Sequence, residues 1–179
     1  MSLSTLYTAA PIVFKGWDLV KVVLAGLLLV IIQSSMAAFA GLSGYGPEWV
    51  LALTIYVALR AELWLAILAA FALGFIRDAV GGGFLGMHQF TLVLITWFFY
   101  PFRARLNFFS PLTLMPLIFI LGLGSQLFIM TPIMAVLGWP SHTFNPLPAF
   151  FVSSSLTALL APIVFIALDR LTRNMRQND

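Results

Sequence analysis

The residues that could carry out chemistry are few, and Arg77 and Asp78 stand out among them. They follow an apolar run over residues 63–76 and precede a glycine-rich segment. Charged side chains in an apolar region are costly and often functional. Neighbours on a helix point about 100° apart, so the two side chains need not pair. Two interpretations remain: the pair ends a span at the outer interface, or Asp78 turns inward, fixes a glycine-rich bend and lies beside a cavity.

A serine nucleophile is the next candidate. Ser43 lies in Gly41-Leu42-Ser43-Gly44, which resembles the G-x-S-G pattern of rhomboid proteases. A serine nucleophile needs a base within hydrogen-bond reach. Here the serine precedes the second apolar segment, and the last apolar segment has no histidine. The pattern therefore does not favour a protease, and we predict no catalytic residue.

Metal and cofactor sites are not indicated either. The two histidines, His88 and His142, lie far apart in the chain, and there is no cysteine. The six carboxylates are scattered and no G-x-x-x-x-G-K-[ST] phosphate loop is present. Metal sites need several such ligands at suitable spacing. We predict no metal, no cofactor and no enzymatic activity.

Composition places the chain in a membrane. Of its 179 residues, 61% are hydrophobic and 8% are charged, and the mean hydropathy is +1.04. Soluble domains carry about 25% charged residues. We predict an all-α integral membrane protein, one compact bundle without a second soluble domain. The net charge of +3 does not indicate nucleic acid, because Lys and Arg mark the cytoplasmic side of membrane proteins.

The apolar segments predict six transmembrane helices between two cytoplasmic tails, residues 1–18 and 169–179. The second span is short: 49–59 covers only about 16 Å of a core of about 30 Å. It either extends into flanking residues or crosses in part. The predicted spans are 19–40, 49–59, 63–80, 84–102, 111–137 and 149–168.

The first span has a rival interpretation as a cleaved signal peptide, because Ala38-Phe39-Ala40 has the A-x-A form. The apolar stretch before it is long for a signal peptide, so we favour a retained span. With the N-terminus inside and six spans, eight of the nine Lys and Arg residues fall inside and only Arg77 falls outside. This agrees with the positive-inside rule.

Small and polar residues within the spans indicate helix contacts. Gln33 lies deep in the first span, where an interhelical hydrogen bond is the expected role. Gly82 and Gly86 form a small-x-x-x-small pair, and Gly122 and Gly124 offer close backbone approach. We note Gln33, Arg77, Gly122 and Gly124 as possible cavity or partner contacts.

The glycine-rich segment also carries a resemblance. Gly74-Phe75-Ile76-Arg77-Asp78, then Gly82, then Leu85-Gly86 resembles the G-x-x-x-D-x-x-x-G-x-x-L-G signature of the MreD family of rod shape-determining membrane proteins. Ile32-Gln33 and Pro47-Glu48-Trp49-Val50-Leu51 also fit, so the resemblance covers roughly residues 22–105. Arg77 departs from the apolar residue expected there.

The resemblance implies a role. Such a protein is a non-enzymatic component of the bacterial cell-elongation complex, in the inner membrane with both termini cytoplasmic. Its expected partners are an MreC-like single-span scaffold and, through it, a RodA-type glycosyltransferase, a class B penicillin-binding protein and MreB-type filaments. Asp78 is expected to stabilise the bend between the third and fourth spans, and the glycines Gly82, Gly86, Gly122 and Gly124 to contact the partner.

The resemblance also implies a fold similar to the substrate-binding components of energy-coupling-factor transporters. That likeness supplies an alternative function, a small-molecule-binding component of such a transporter. Arg77 and Asp78 would then lie at the mouth of its pocket.

Overall fold

The computed structural model describes residues 16–40, 45–81, 84–101, 111–137 and 146–174. Within these ranges the chain forms helices and short connections, and no strand. This confirms the prediction of an all-α protein. The six helices are α1 (Gly16–Ala40), α2 (Trp49–Arg60), α3 (Leu63–Gly81), α4 (Met87–Phe99), α5 (Pro111–Leu137) and α6 (Leu147–Asn174).

Four of these helices are long and apolar enough to cross a membrane. The helices α2 and α4 have only 12 and 13 residues. At a rise of 1.5 Å per residue they reach about 18–20 Å, against a hydrocarbon core of about 30 Å. The protein is therefore a multi-pass membrane protein with four helices of spanning length, whereas six complete spans are not shown. The qualifying segments are Gly16–Ser35, Leu63–Gly81, Leu114–Pro132 and Leu147–Arg170.

The helix α4 is shorter than the predicted span over 84–102 because the chain turns before it. The Met87 amide donates to the Phe84 carbonyl at 3.3 Å, and Gly86 has a φ of +95°. A positive φ lies outside the helical region, so the helix begins only at Met87. At the other end the chain tightens into a narrower helical turn at Tyr100 and Pro101.

The short helix α2 is the centre of the bundle. It contacts α1, α3, α4 and α6, and every residue from Val50 to Ala58 is buried. A helix that is apolar all round and covered on all sides belongs to the core. The helix α3 packs on α1 and α4, and α5 packs on α6.

The helix α3 has one inner and one outer face. Its inner face carries small residues: Ala66, Ala69 and Ala70 have no exposed surface. Small residues let helix backbones approach closely, which is how membrane helices gain packing energy. The outer face carries large apolar side chains at helical spacing, namely Trp64, Leu68, Phe71 and Phe75, all of them exposed.

A polar cluster ties α2 to α6 where both approach their C-terminal ends. The Arg60 guanidinium donates to Asp169 Oδ2 at 2.9 Å, and the Tyr56 hydroxyl donates to Asp169 Oδ1 at 2.8 Å. Arg60 also lies over the Tyr56 ring, 5.6 Å from its centroid. We call this side of the bundle the Arg60 end and the opposite side the Asp78 end.

Candidate functional site

The turn between α3 and α4 is built around the carboxylate of Asp78. Asp78 lies in the last turn of α3 and its side chain has no exposed surface. Its Oδ2 accepts hydrogen bonds from the amides of Gly86 at 2.9 Å and Gln89 at 3.2 Å. Its Oδ1 accepts from the His88 amide at 3.2 Å and pairs with His88 Nδ1 at 2.8 Å. Asp78 thus turns inward and makes every one of these contacts to the α4 end of the turn.

This arrangement makes Asp78 the N-terminal cap of α4, although it belongs to the preceding helix. The residue at the cap position is Gly86, which has no side chain to cap with. The first amides of a helix have no partner within the helix, and a negative charge there also interacts favourably with the helix dipole. Asp78 supplies both the hydrogen-bond acceptors and the negative charge at the start of α4. The same hydrogen bonds hold α3 against α4.

Two glycines allow this close approach. A Cβ on Gly74 would overlap the backbone of Gln89 in α4. Gly86 adopts a φ of +95°, a conformation that side chains with a Cβ rarely adopt. Gly74, Asp78 and Gly86 therefore form one unit. Leu85, in contrast, is 75% exposed.

Gly82, the remaining position of the signature, lies outside the described residues. The pairing of Gly82 with Gly86 stays a prediction.

Arg77 does not pair with Asp78. Its guanidinium lies over Gly81, where a Cβ would be 3.2 Å from Nη1. It makes no hydrogen bond and no ion pair in the part of the chain that the structure describes. Arg77 instead lines a small cavity at the Asp78 end, together with Glu48, His88, Thr91 and Ser125.

Glu48 brings a second carboxylate to this cavity from the connection before α2. Its amide donates to Thr157 Oγ1 at 2.7 Å, which anchors the connection to α6. Its carboxylate receives one long hydrogen bond of 3.4 Å from the Ser125 hydroxyl. The same hydroxyl lies 2.8 Å from the Gly122 carbonyl. Since a hydroxyl has one proton, the shorter bond to Gly122 leaves the Glu48 carboxylate poorly satisfied.

The electrostatics of the cavity are mixed. Burial raises the pKa of Glu48 above its ordinary value, and the charges of His88 and Arg77 and the Ser125 hydroxyl partly offset this effect. The contact with Asp78 fixes which nitrogen of the His88 ring carries a proton. A carboxylate only accepts hydrogen bonds, so Nδ1 must donate its proton to Asp78. In the neutral ring Nε2 is left as an acceptor. The cavity can thus hold a polar group between an acid, a guanidinium and an imidazole.

A second polar group holds the connection before α2 against α5 and α6. Ser153 Oγ donates to the Gly46 carbonyl at 2.7 Å and accepts from Gln126 Nε2 at 3.1 Å. Gln33 of α1 lies beside Gly46, and its buried Oε1 has no hydrogen-bond partner among the described residues. Gln33 is not among the residues that line the cavity.

The two glycines of α5 have different surroundings. A Cβ on Gly122 would lie 3.0 Å from Ser154 Oγ in α6, so Gly122 belongs to the contact between the two helices. Gly124 has nothing within 4 Å of its Cβ direction. Among the described residues, no three His, Cys, Asp or Glu side chains are grouped so that they could hold a metal ion.

Sequence reasoning found Arg77, Asp78 and the glycines, but it missed Glu48, His88 and Ser125 as neighbours of Arg77. These residues are distant in the chain and show no shared motif. The signal that could have found them is charge: Glu48 and His88 are ionisable residues next to the ends of apolar segments.

The comparison with protein families decides what this chain is related to. The family model described as rod shape-determining protein MreD matches residues 17–171. The chain belongs to the MreD family. The match extends from the first turn of α1 into the last turns of α6, and so includes the capped turn, the cavity and the Arg60 end. MreD proteins are rod shape-determining membrane proteins.

Comparisons with curated proteins and with solved structures found no match. The expected likeness of this MreD protein to the substrate-binding components of energy-coupling-factor transporters is not shown. The alternative function as a transporter component has no support.

Proposed function

We propose that this protein is a non-enzymatic membrane component of the bacterial cell-elongation complex and holds an MreC-like single-span partner in register. The observation that carries the proposal is the MreD family match over residues 17–171. Through the partner it would support the RodA-type glycosyltransferase, the class B penicillin-binding protein and the MreB-type filaments. Its part is to provide a rigid helical surface, which the capped α3–α4 turn and the buried α2 support.

We further propose that it resides in the bacterial inner membrane with both termini in the cytoplasm. The Arg60 end then faces the cytoplasm. Arg60 and Arg170 lie at this end, since Arg60 binds Asp169, the neighbour of Arg170. Arg77 and His88 lie at the opposite, outer end. The positive-inside rule supports this orientation.

The partner surface that we propose includes Gly124 on α5. A helix in lipid gains little from hydrophobic contact, so close backbone approach and polar contacts must hold it. Gly124 is exposed with open space in front of it, and the exposed Leu127 follows it on the same helix. Gly122 is not available to the partner, because it already packs against Ser154 of α6.

The test is recovery of the partner with a tagged chain from the native host in mild detergent. We expect Gly124→Leu to lower recovery of an MreC-like partner about tenfold, as for the loss of one good packing contact, with membrane yield unchanged. Gly16→Leu is the matched control, because Gly16 also has nothing within 4 Å.

If the Gly124→Leu and Gly16→Leu chains recover equal amounts of the MreC-like partner, the partner binds a face of the protein that does not include Gly124. Failure to recover any MreC-like protein with the unmodified chain, together with normal rod shape in cells that lack it, would refute the proposed function itself.

A further inference from the structure

Among the described residues, the two short helices leave a recess at the Asp78 end. Glu48 directly precedes α2, and His88 lies in the first turn of α4, so both helices begin at the level of the cavity. Other helices continue past that level. From Ser125, which contacts Glu48, α5 runs on to Leu137, a distance of about 18 Å at 1.5 Å per residue.

The helix α6 likewise begins at Leu147, before the residue Ser153 that binds Gly46. Its first residues add about 9 Å. The cavity therefore lies below the tips of α5 and α6, as the floor of a recess.

The floor of this recess carries an acid and a guanidinium that are poorly satisfied by the other described residues. The guanidinium of Arg77 forms no hydrogen bond within the described residues, and the carboxylate of Glu48 has only the long contact to Ser125. The two side chains form no ion pair with each other. Charges away from bulk water are costly unless they are paired. An acid and a guanidinium that are both unsatisfied suit a ligand that carries both a cation and an anion.

The size of the cavity restricts the cation. Its inner volume is about 20 Å³, which holds one water-sized group. A primary ammonium has this size and donates three hydrogen bonds, as the lysine ammonium does. A trimethylammonium group is too large and donates none. Glu48 and Ser125 supply acceptors for the small group, while Arg77 remains for an anion at the rim.

We propose that the recess binds a phospholipid head group that carries a phosphate and a primary ammonium, as in phosphatidylethanolamine. The ammonium enters the cavity toward the Glu48 carboxylate, and the phosphate binds the Arg77 guanidinium. The hydrocarbon chains lie along the exposed Phe90 and Phe128, whose rings stack 6.2 Å apart between α4 and α5. A lone lysine from a partner protein fits less well, because Arg77 would repel it.

The first test needs no variant. The purified full-length chain in detergent is titrated with a series of lipids that differ only in N-methylation, and retention is read by native mass spectrometry. We expect phosphatidylethanolamine to be retained about tenfold more than phosphatidylcholine, with the monomethyl and dimethyl lipids in between, because each methyl removes a donor and adds volume. Equal retention across the series would overturn the proposal.

The second test distinguishes the contribution of Arg77 to lipid binding from that of Glu48. We expect Arg77→Gln to lower retention of both phosphatidylethanolamine and phosphatidylglycerol about tenfold, since a charged hydrogen bond is lost. We expect Glu48→Gln to lower retention of phosphatidylethanolamine alone. Arg170→Gln is the control, because Arg170 is exposed at the opposite end.

Two results would contradict the assignment. If phosphatidylglycerol falls as much as phosphatidylethanolamine in Glu48→Gln, the acid does not bind the ammonium. If free phosphoethanolamine competes as well as the whole lipid, the ligand is a soluble molecule and the lipid assignment is wrong.

Discussion

A single carboxylate, Asp78, organises the contact between α3 and α4. It satisfies three amides and one imidazole while having no exposed surface. A capping side chain usually belongs to the helix that it caps. Here the cap comes from the previous helix, so its loss weakens a tertiary contact as well as a helix end.

We expect Asp78→Ala to lower the free energy of unfolding by about 2–4 kcal/mol, because several buried donors lose a charged acceptor. Asp78→Asn should cost less, since its amide oxygen still accepts. Thermal unfolding in detergent measures both. Glu62→Ala is the control, because Glu62 is an exposed carboxylate. An unfolding temperature for Asp78→Ala equal to that of the control would show that the cap is dispensable.

The buried Glu48 predicts a dependence on pH. Its pKa is raised in the folded state by burial. A raised pKa means that its contribution to stability is fully present below the ordinary value and is lost as the pH rises through the folded value. We expect the lipid-free protein to lose stability, relative to Glu48→Gln, which stays neutral, as the pH rises above the ordinary pKa of 4.5.

The measurement is thermal unfolding of the unmodified protein and of Glu48→Gln at a series of pH values above 4.5. Glu62→Gln is the control for an exposed acid. Parallel curves for the unmodified chain and Glu48→Gln would mean that the Glu48 carboxyl is not buried in the folded protein.

At the scale of the elements, glycine sets how closely α3 can approach α4. Gly74 faces the backbone of Gln89 directly. Backbone atoms cannot move aside as a flexible side chain can, so an added methyl must push the two helices apart. This displacement would also pull Asp78 away from the amides that it caps.

We expect Gly74→Ala to destabilise the protein by about 1–3 kcal/mol through overpacking. Gly124→Ala is a matched control, since it also lies within a long helix but has open space around it. It should be neutral or slightly stabilising, because Ala favours helix more than Gly does. Both are measured by thermal unfolding. Equal stability of the two variants would contradict the tight contact at Gly74.

At the scale of the whole molecule, the two ends of the bundle differ in character. The Arg60 end has a paired cluster of Tyr56, Arg60 and Asp169. At the Asp78 end, Arg77 forms no ion pair within the described residues, and the Glu48 carboxylate accepts only the long hydrogen bond from Ser125. The proposed orientation places the paired end in the cytoplasm and the recess outside.

This orientation can be tested directly because the chain has no cysteine. We expect Tyr45→Cys, at an exposed position near the Asp78 end, to react with a membrane-impermeant maleimide added to intact spheroplasts. Glu62→Cys, exposed at the Arg60 end, should react only after the membrane is permeabilised. The reverse labelling pattern would invert the topology.

The amino-acid sequence alone determined that the chain is an all-helical membrane protein, which segments of it are apolar, and that the second helix is short. It also determined the family, through Gly74, Asp78 and Gly86. These properties follow from local information: the hydropathy of each segment, the positions where Gly and Pro interrupt a helix, and a short motif.

The tertiary structure alone decided what the motif does and what surrounds it. Only the folded chain shows that Asp78 caps α4, that Gly74 meets the Gln89 backbone and that α4 begins at Met87. Only the folded chain brings Glu48 beside Arg77 and His88. These residues come from separate connections and helices, and no local pattern encodes their distance, because helix packing sets it.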